Sequence, residues 1–256
     1  MFGFPSSLLL DSITEVPGDM FRATAARMTS FNINVISDPI CPWCYIGKVR
    51  LEKAISQWKT TVPKGDQDTF TVTWRPFYLD PTLPKKGIDY LTLLSSRYGR
   101  ERAEAATKRI VAVGDAEGLK MGNVGKKGNT RDAHRLIHLG LTKSNEMQDK
   151  VVTELFKSHF ENHGDITERQ VLVDAGVKAG LDKNEVTEWL ESDKGGKEVD
   201  QGVEEAVAKD VHGVPNFTIN GKYVLEGAQE PQTFLQAFVR AKMAAEDVNV
   251  SQGQTC

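Results

Sequence analysis

The sequence predicts an α/β protein in which a strand-helix-strand unit and a later hairpin-plus-helix unit are split by a large all-helical insertion. Three observations carry this. Residues 31–36 and 70–77 alternate apolar and polar positions at the two-residue period of strands, and a helical pattern lies between them. From 88 to about 210 the period is almost wholly helical, punctuated by Gly and Asn. Asn220-Gly221 then joins two short runs of strand character, 216–219 and 223–226, and Asn-Gly is the strongest short-range hairpin signal.

Each element has a local reason. Phe31-Asn-Ile-Asn-Val-Ile36 reads as a strand leading into the break at Ser37-Asp38-Pro39. The chain restarts at Cys41. Pro42 suits the first helical position, where its missing N–H would be unpaired anyway, and Leu51, Ile55 and Trp58 follow at helical spacing to about Lys59. Phe70 to Phe77 returns as a strand parallel to the first, which makes one right-handed crossover. Helices are then expected at 88–98, 100–117, 131–143, 146–161, 167–179, 183–191 and 196–209, with Asp165 and Thr167 as capping groups for the fifth. Gly118 to Gly128 reads as an exposed, flexible lid or connector. Pro231 opens a last amphipathic helix that fades into a polar tail after Ala245.

The resulting organisation is an N-terminal extension at 1–30, one α/β domain built from 31–84 and 211–245, a helical domain at 85–210 and a polar tail at 246–256. With 39% apolar and 26% charged residues the chain has the composition of a globular protein. A formal charge of -3 and the absence of a clustered basic run argue against nucleic acid, and no apolar run is long enough for a membrane span. Leu8-Leu9-Leu10 is too short for a secretory core. Arg22 and Arg27 suggest a mitochondrial presequence, but Asp11, Glu15 and Asp19 oppose it. Three cysteines in 256 residues is the usage of a reducing compartment, so a cytoplasmic protein is expected, and a close pair there points to catalysis rather than structure.

That pair is Cys41-Pro42-Trp43-Cys44. At a helix start the unpaired amide donors and the positive end of the helix dipole favour a thiolate at Cys41, while Cys44 lies one turn deeper. Pro42 and Trp43 tune the balance between nucleophile and leaving group. Asp38 is either a relay for the Cys44 proton or a turn acid. His212 is a candidate partner for the Cys41 thiolate, or a solvated loop residue. Zinc needs two further ligands, and the other cysteine is the terminal Cys256. His134 and His138 stand four apart without the glutamate of a His-Glu-x-x-His site, so no metal is expected.

These residues resemble the DsbA-like thioredoxin-domain family, FrnE-like branch. The resemblance rests on Ser37 to Gly47, Trp74-Arg75-Pro76-Phe77, Asn129-Thr130 with Ala133-His134-Arg135-Leu136, and Gly213-Val214-Pro215-Asn216-Phe217 through Gly227-Ala228-Gln229. It implies a thioredoxin fold with a helical insertion, a nucleophilic Cys41, a resolving Cys44 and a cis Pro215 after Val214 beside the dithiol. It further implies that Asn129, Thr130 and His134 line a substrate cleft. The implied activity is thiol–disulfide exchange on a protein or small-molecule disulfide. The cysteine pair itself is the redox group, and glutathione is a candidate co-substrate. The branch is also similar to kappa-class glutathione transferases and 2-hydroxychromene-2-carboxylate isomerases, in which a serine stands at the Cys41 position, so a glutathione-dependent isomerase or transferase is the alternative. No second cysteine pair follows that would extend a redox relay.

Overall fold

The computed structural model describes residues 28–122 and 124–253. Most of the expected N-terminal extension, and Cys256, lie outside the described residues. The order of elements is β1 (Ser30–Ser37), α1 (Pro42–Thr61), β2 (Thr69–Pro76), α2 (Tyr90–Tyr98), α3 (Arg100–Glu117), α4 (Arg131–Lys143), α5 (Asn145–Glu161), α6 (Arg169–Ala179), α7 (Lys183–Glu191), α8 (Gly196–Ala208), β3 (Asn216–Ile219), β4 (Tyr223–Glu226) and α9 (Pro231–Gly253). A short 3-10 turn at Gly65–Gln67 precedes β2.

The four strands form one mixed sheet in the order β2-β1-β3-β4. β1 pairs parallel to β2, with Ile33 opposite Val72, and antiparallel to β3, with Val35 opposite Phe217. Alternation along β1 sends Phe31, Ile33 and Val35 into the core. There Phe31 meets Trp58 of α1 edge-on at 5.3 Å and Phe238 of α9 at 5.2 Å, so α1 and α9 cover this face together.

The buried carboxylate of Asp68 ties the same three elements. It accepts from the Thr29 amide at 2.7 Å, Trp58 Nε1 at 2.8 Å and Lys242 Nζ at 2.7 Å.

The helical insertion docks on the edge strand through side-chain amides. Gln148 of α5 accepts from the Trp74 amide at 3.0 Å and donates to the Trp74 carbonyl at 2.9 Å, while Asn145 donates to the Val72 carbonyl at 3.0 Å. An edge whose polar backbone would otherwise be open is closed by these mimics of a neighbouring strand. Behind the sheet, between its second face and α8, lies a cleft of about 750 Å³ lined in part by Asn34, Thr218, Glu198 and Glu205.

Three local expectations are corrected. Gly118 to Gly128 is not an open lid: Leu119 and Met121 are buried, and the Gly125 amide donates to the His159 carbonyl at 2.6 Å. A Cβ on Gly125 would stand 2.0 Å from the Gly164 carbonyl oxygen, so the glycine is there for close packing of two backbones. Asp165 and Thr167 do not cap the fifth insertion helix. Asp165 binds Thr167 within a turn, and the Thr167 hydroxyl accepts from the Gly87 amide at 3.1 Å. The last helix does not end at Ala245, because its backbone stays helical to Gly253.

Candidate active site

The dithiol forms at the seam between β1 and α1. The Asp38 carbonyl accepts from the Cys41 amide at 2.9 Å, closing the turn, and Cys41 becomes the N-cap of α1 with an extended backbone at φ -90°. No side chain caps this helix, and the Cys44 amide faces the Cys41 sulfur as well as its carbonyl. The Cys44 amide donates to the Cys41 carbonyl at 3.0 Å, which puts the two sulfurs one turn apart. Both cysteines are free thiols, and both are buried: Cys41 retains 2% of its surface and Cys44 none.

The two thiols have opposite acidities. A hydrogen bond from the Cys44 thiol, opposed by burial, holds Cys41 below the usual thiol range. Burial, then the bond given to Cys41, pushes Cys44 well above it. The Ser37 hydroxyl and the Asp38 amide face the Cys44 sulfur.

Pro215 closes the other side. The Val214–Pro215 peptide is cis, and the Val214 carbonyl accepts from Cys41 Sγ at 3.5 Å. Gly47 is what lets α1 approach so near: a Cβ there would lie 3.1 Å from Pro215 Cγ and 3.0 Å from Phe217 Cζ. Trp43 is half-buried and packs against the core.

Asp38 sits beneath the pair with no exposed surface. Its Oδ2 accepts from the Leu79 amide at 2.7 Å and its Oδ1 from the Ile40 amide at 3.3 Å, and the Thr130 hydroxyl also reaches it. Burial outweighs these bonds and raises its carboxyl to about 6.

Of the residues expected to line a substrate cleft, His134 borders the cleft behind the sheet, whereas Asn129 and Thr130 are not among its lining residues. Thr130 serves Asp38. His134 is buried, with Nε2 donating to the Phe77 carbonyl at 3.0 Å. Burial lowers its pKa to about 4, so at neutral pH it forms no ion pair with Asp38, 3.9 Å away. Asn129 accepts from the Arg131 amide at 3.0 Å at the start of α4.

His212 does not reach Cys41 either. Its side chain is 83% exposed and pairs with Asp210 at 2.8 Å. Position in the sequence next to Gly213-Val214-Pro215 suggested proximity, but the left-handed turn at Asp210 directs the segment outward before it returns to the sheet.

Sequence reasoning missed Lys127 and Tyr90. The Lys127 ammonium lies 4.7 Å above the Tyr90 ring, and burial lowers the pKa of the lysine and raises that of the tyrosine. Lys127 belongs to the segment read as a lid, and nothing local marks it out from Lys126 beside it.

Among the described residues no group of three or more His, Cys, Asp or Glu is gathered to hold a metal, and no helix is long and apolar enough to cross a membrane.

Comparison with known proteins places this arrangement. A family model described as a DSBA-like thioredoxin domain matches residues 32–239. A solved structure of a probable DsbA oxidoreductase from Streptomyces coelicolor is 32% identical, with a TM-score of 0.74 over 82% of this chain and 89% of that one. An uncharacterized protein of Bacillus subtilis, YwbO, is 27% identical over 212 residues, which is 80% of this chain and 94% of that protein. A 2-hydroxychromene-2-carboxylate isomerase structure shares the fold alone, at 13% identity and a TM-score of 0.59 over 86% of this chain and 98% of that one.

Proposed function

We propose that this chain, which belongs to the DSBA-like thioredoxin domain family, is a thiol–disulfide oxidoreductase whose chemistry is carried by Cys41 and Cys44. The observation that carries the reading is the asymmetry of two free thiols one turn apart: one caps α1 beside Val214 and Pro215, the other is sealed behind it.

The Cys41 thiolate attacks one sulfur of a substrate disulfide. That bond breaks, a mixed disulfide forms on Cys41, and the other substrate sulfur leaves as a thiolate that takes a proton from solvent. Cys44 then gives up its proton and attacks Cys41 Sγ, releasing the second substrate thiolate. The substrate gains two electrons and the enzyme is left with a Cys41–Cys44 disulfide. Asp38 is the buried base for the Cys44 proton, because a carboxylate at about 6 is a far better acceptor than an ordinary one. The reverse sequence oxidises a substrate dithiol.

The dithiol carries both electrons, so the chemistry calls for no metal or organic cofactor, and glutathione is the natural co-substrate in a reducing cytoplasm. With 2% of Cys41 exposed, small disulfides and flexible extended segments reach it more readily than rigid surfaces do. A glutathione-dependent isomerase has only the shared fold in its favour and gives Cys44 no task.

Trapping tests the assignment. Cys44→Ser should accumulate a mixed disulfide on Cys41 when mixed with oxidised glutathione, seen by mass spectrometry of the intact chain. Cys41→Ser should form none. Equal turnover by both variants would remove the dithiol from the mechanism, and isomerisation of an aromatic substrate that survives loss of Cys44 would favour the alternative.

A further inference from the structure

The cleft of about 750 Å³ between α8 and the second face of the sheet takes no part in the proposed exchange. Its floor follows from strand alternation. Phe217 turns into the core against Phe234, so Asn216, one residue earlier, faces the cleft. Asn216 lies opposite Glu226 of β4 on one side and Ile36 of β1 on the other, and Ile36 lies opposite Arg75 of β2. A row of carboxylate, amide, apolar side chain and guanidinium therefore crosses the floor. Directly opposed residues stand about 5 Å apart between Cβ atoms, so Glu226 is the neighbour of Asn216, whereas Arg75 is two strands away, at about 10 Å. Asn216 retains 7% of its surface, yet its side-chain amide has no hydrogen bond among the described residues. The fold has already desolvated this group, so a ligand atom that bonds to it gains more than at an exposed amide.

The charges set the sign of such a ligand. Glu198, Glu205, Asp210 and Glu226 line the cleft against Arg75 and Lys209. Asp210 pairs outward with His212 and Glu205 accepts from the Gln201 amide at 3.0 Å, while the carboxylates of Glu198 and Glu226 have no partner among the described residues. Carboxylates along low-dielectric walls focus a negative potential into the space between them. Among the described residues no three acidic, histidine or cysteine groups gather as a metal would require, and the volume is that of a site for an organic molecule. Ile36, Ile137 and Val199 supply apolar lining.

We propose that this cleft is a binding site for a small aliphatic amine. The ammonium group donates to the Asn216 side-chain oxygen and to the Glu226 carboxylate, and the carbon chain lies over Ile36 toward Ile137 and Val199. Glu205, on the α8 wall, adds to the negative field. Neither thiol takes part, so the site stands apart from the redox assignment.

Isothermal titration of the full reduced chain with hexylamine, hexanol and hexanoate tests this, since the three share one carbon chain and differ in the head group. Hexylamine should bind saturably, with a Kd of about 1 mM or tighter. It should bind at least about tenfold tighter than hexanol, and hexanoate should not bind. Glu226→Gln and Asn216→Ala, each folded by circular dichroism, should weaken hexylamine about tenfold. Cys41→Ser should bind it as the wild type does. Equal affinity for hexylamine and hexanol, a preference for hexanoate, or no saturation below about 10 mM would overturn the site. Full affinity in both cleft variants would do the same, and loss of binding in Cys41→Ser would move the amine to the dithiol.

Discussion

Replacing Asp38 by asparagine isolates the cost of a buried carboxylate under the dithiol. The folded protein holds this group at about 6 against an ordinary 3.8, with burial as the main cause. Over that interval the native state binds more proton than the unfolded chain. Its contribution is therefore complete below 3.8 and is lost as pH rises through about 6. At about 1.4 kcal/mol per pKa unit the full loss is about 3 kcal/mol, of which about 2.5 kcal/mol falls between pH 4 and pH 8. The amide introduced by Asp38→Asn does not titrate. It offers one acceptor oxygen where Asp38 offers two, so either the Leu79 or the Ile40 amide loses its partner, at about 1–3 kcal/mol at every pH. That constant cost cancels when the difference between variant and wild type is followed against pH. Urea unfolding of both proteins, reduced throughout, should show the variant gaining about 2.5 kcal/mol on the wild type from pH 4 to pH 8. At an m-value of about 2–3 kcal/mol/M this is about 1 M in midpoint. A difference constant within about 1 kcal/mol over the range would refute the account of Asp38 as a desolvated acid.

Two further substitutions probe how the site is held. Asp68→Ala strips the buried Lys242 of its carboxylate and leaves Trp58 Nε1 and the Thr29 amide unpaired, and it should cost about 3–5 kcal/mol in urea unfolding. A loss under about 1 kcal/mol would mean that these groups find water or other partners. Gly125→Ala forces a methyl to 2.0 Å from the Gly164 oxygen, so the Lys127 segment must move. The expected outcome is about 2–4 kcal/mol of destabilisation and faster amide hydrogen exchange at Lys127, and unchanged exchange there would show that the two segments separate freely.

Much of the fold was legible because it is written in short-range pattern. Period-two alternation located β1 and β2, and the 3.6-residue period located α2 to α8. Asn220-Gly221 located the hairpin, since a tight primed turn needs the positive φ that both residues show. Capping at α6 misread because Asp165 and Thr167 satisfy each other and Gly87 in place of a helix end. The glycine-dense segment misread because glycine serves both loops and close backbone contact, and only the neighbour at Gly164 tells the two apart.

By itself the sequence determined that two thiols one turn apart stand at the start of a helix that follows a strand. Proline at the first helical position, the apolar stripe behind it and the spacing of the cysteines all act within a few residues, so no distant contact is needed to read them. Only the tertiary structure decided which charges surround the sulfurs. Chain neighbourhood pointed to His212, yet folding sends it to solvent beside Asp210 and sets the Val214 carbonyl against Cys41 Sγ. Burial, which lifts Asp38 and separates the acidities of Cys41 and Cys44, is likewise a property of packed elements. Electrostatic energy depends on distance through space and on exclusion of water, and neither quantity exists along the chain until strands, helices and insertion are assembled.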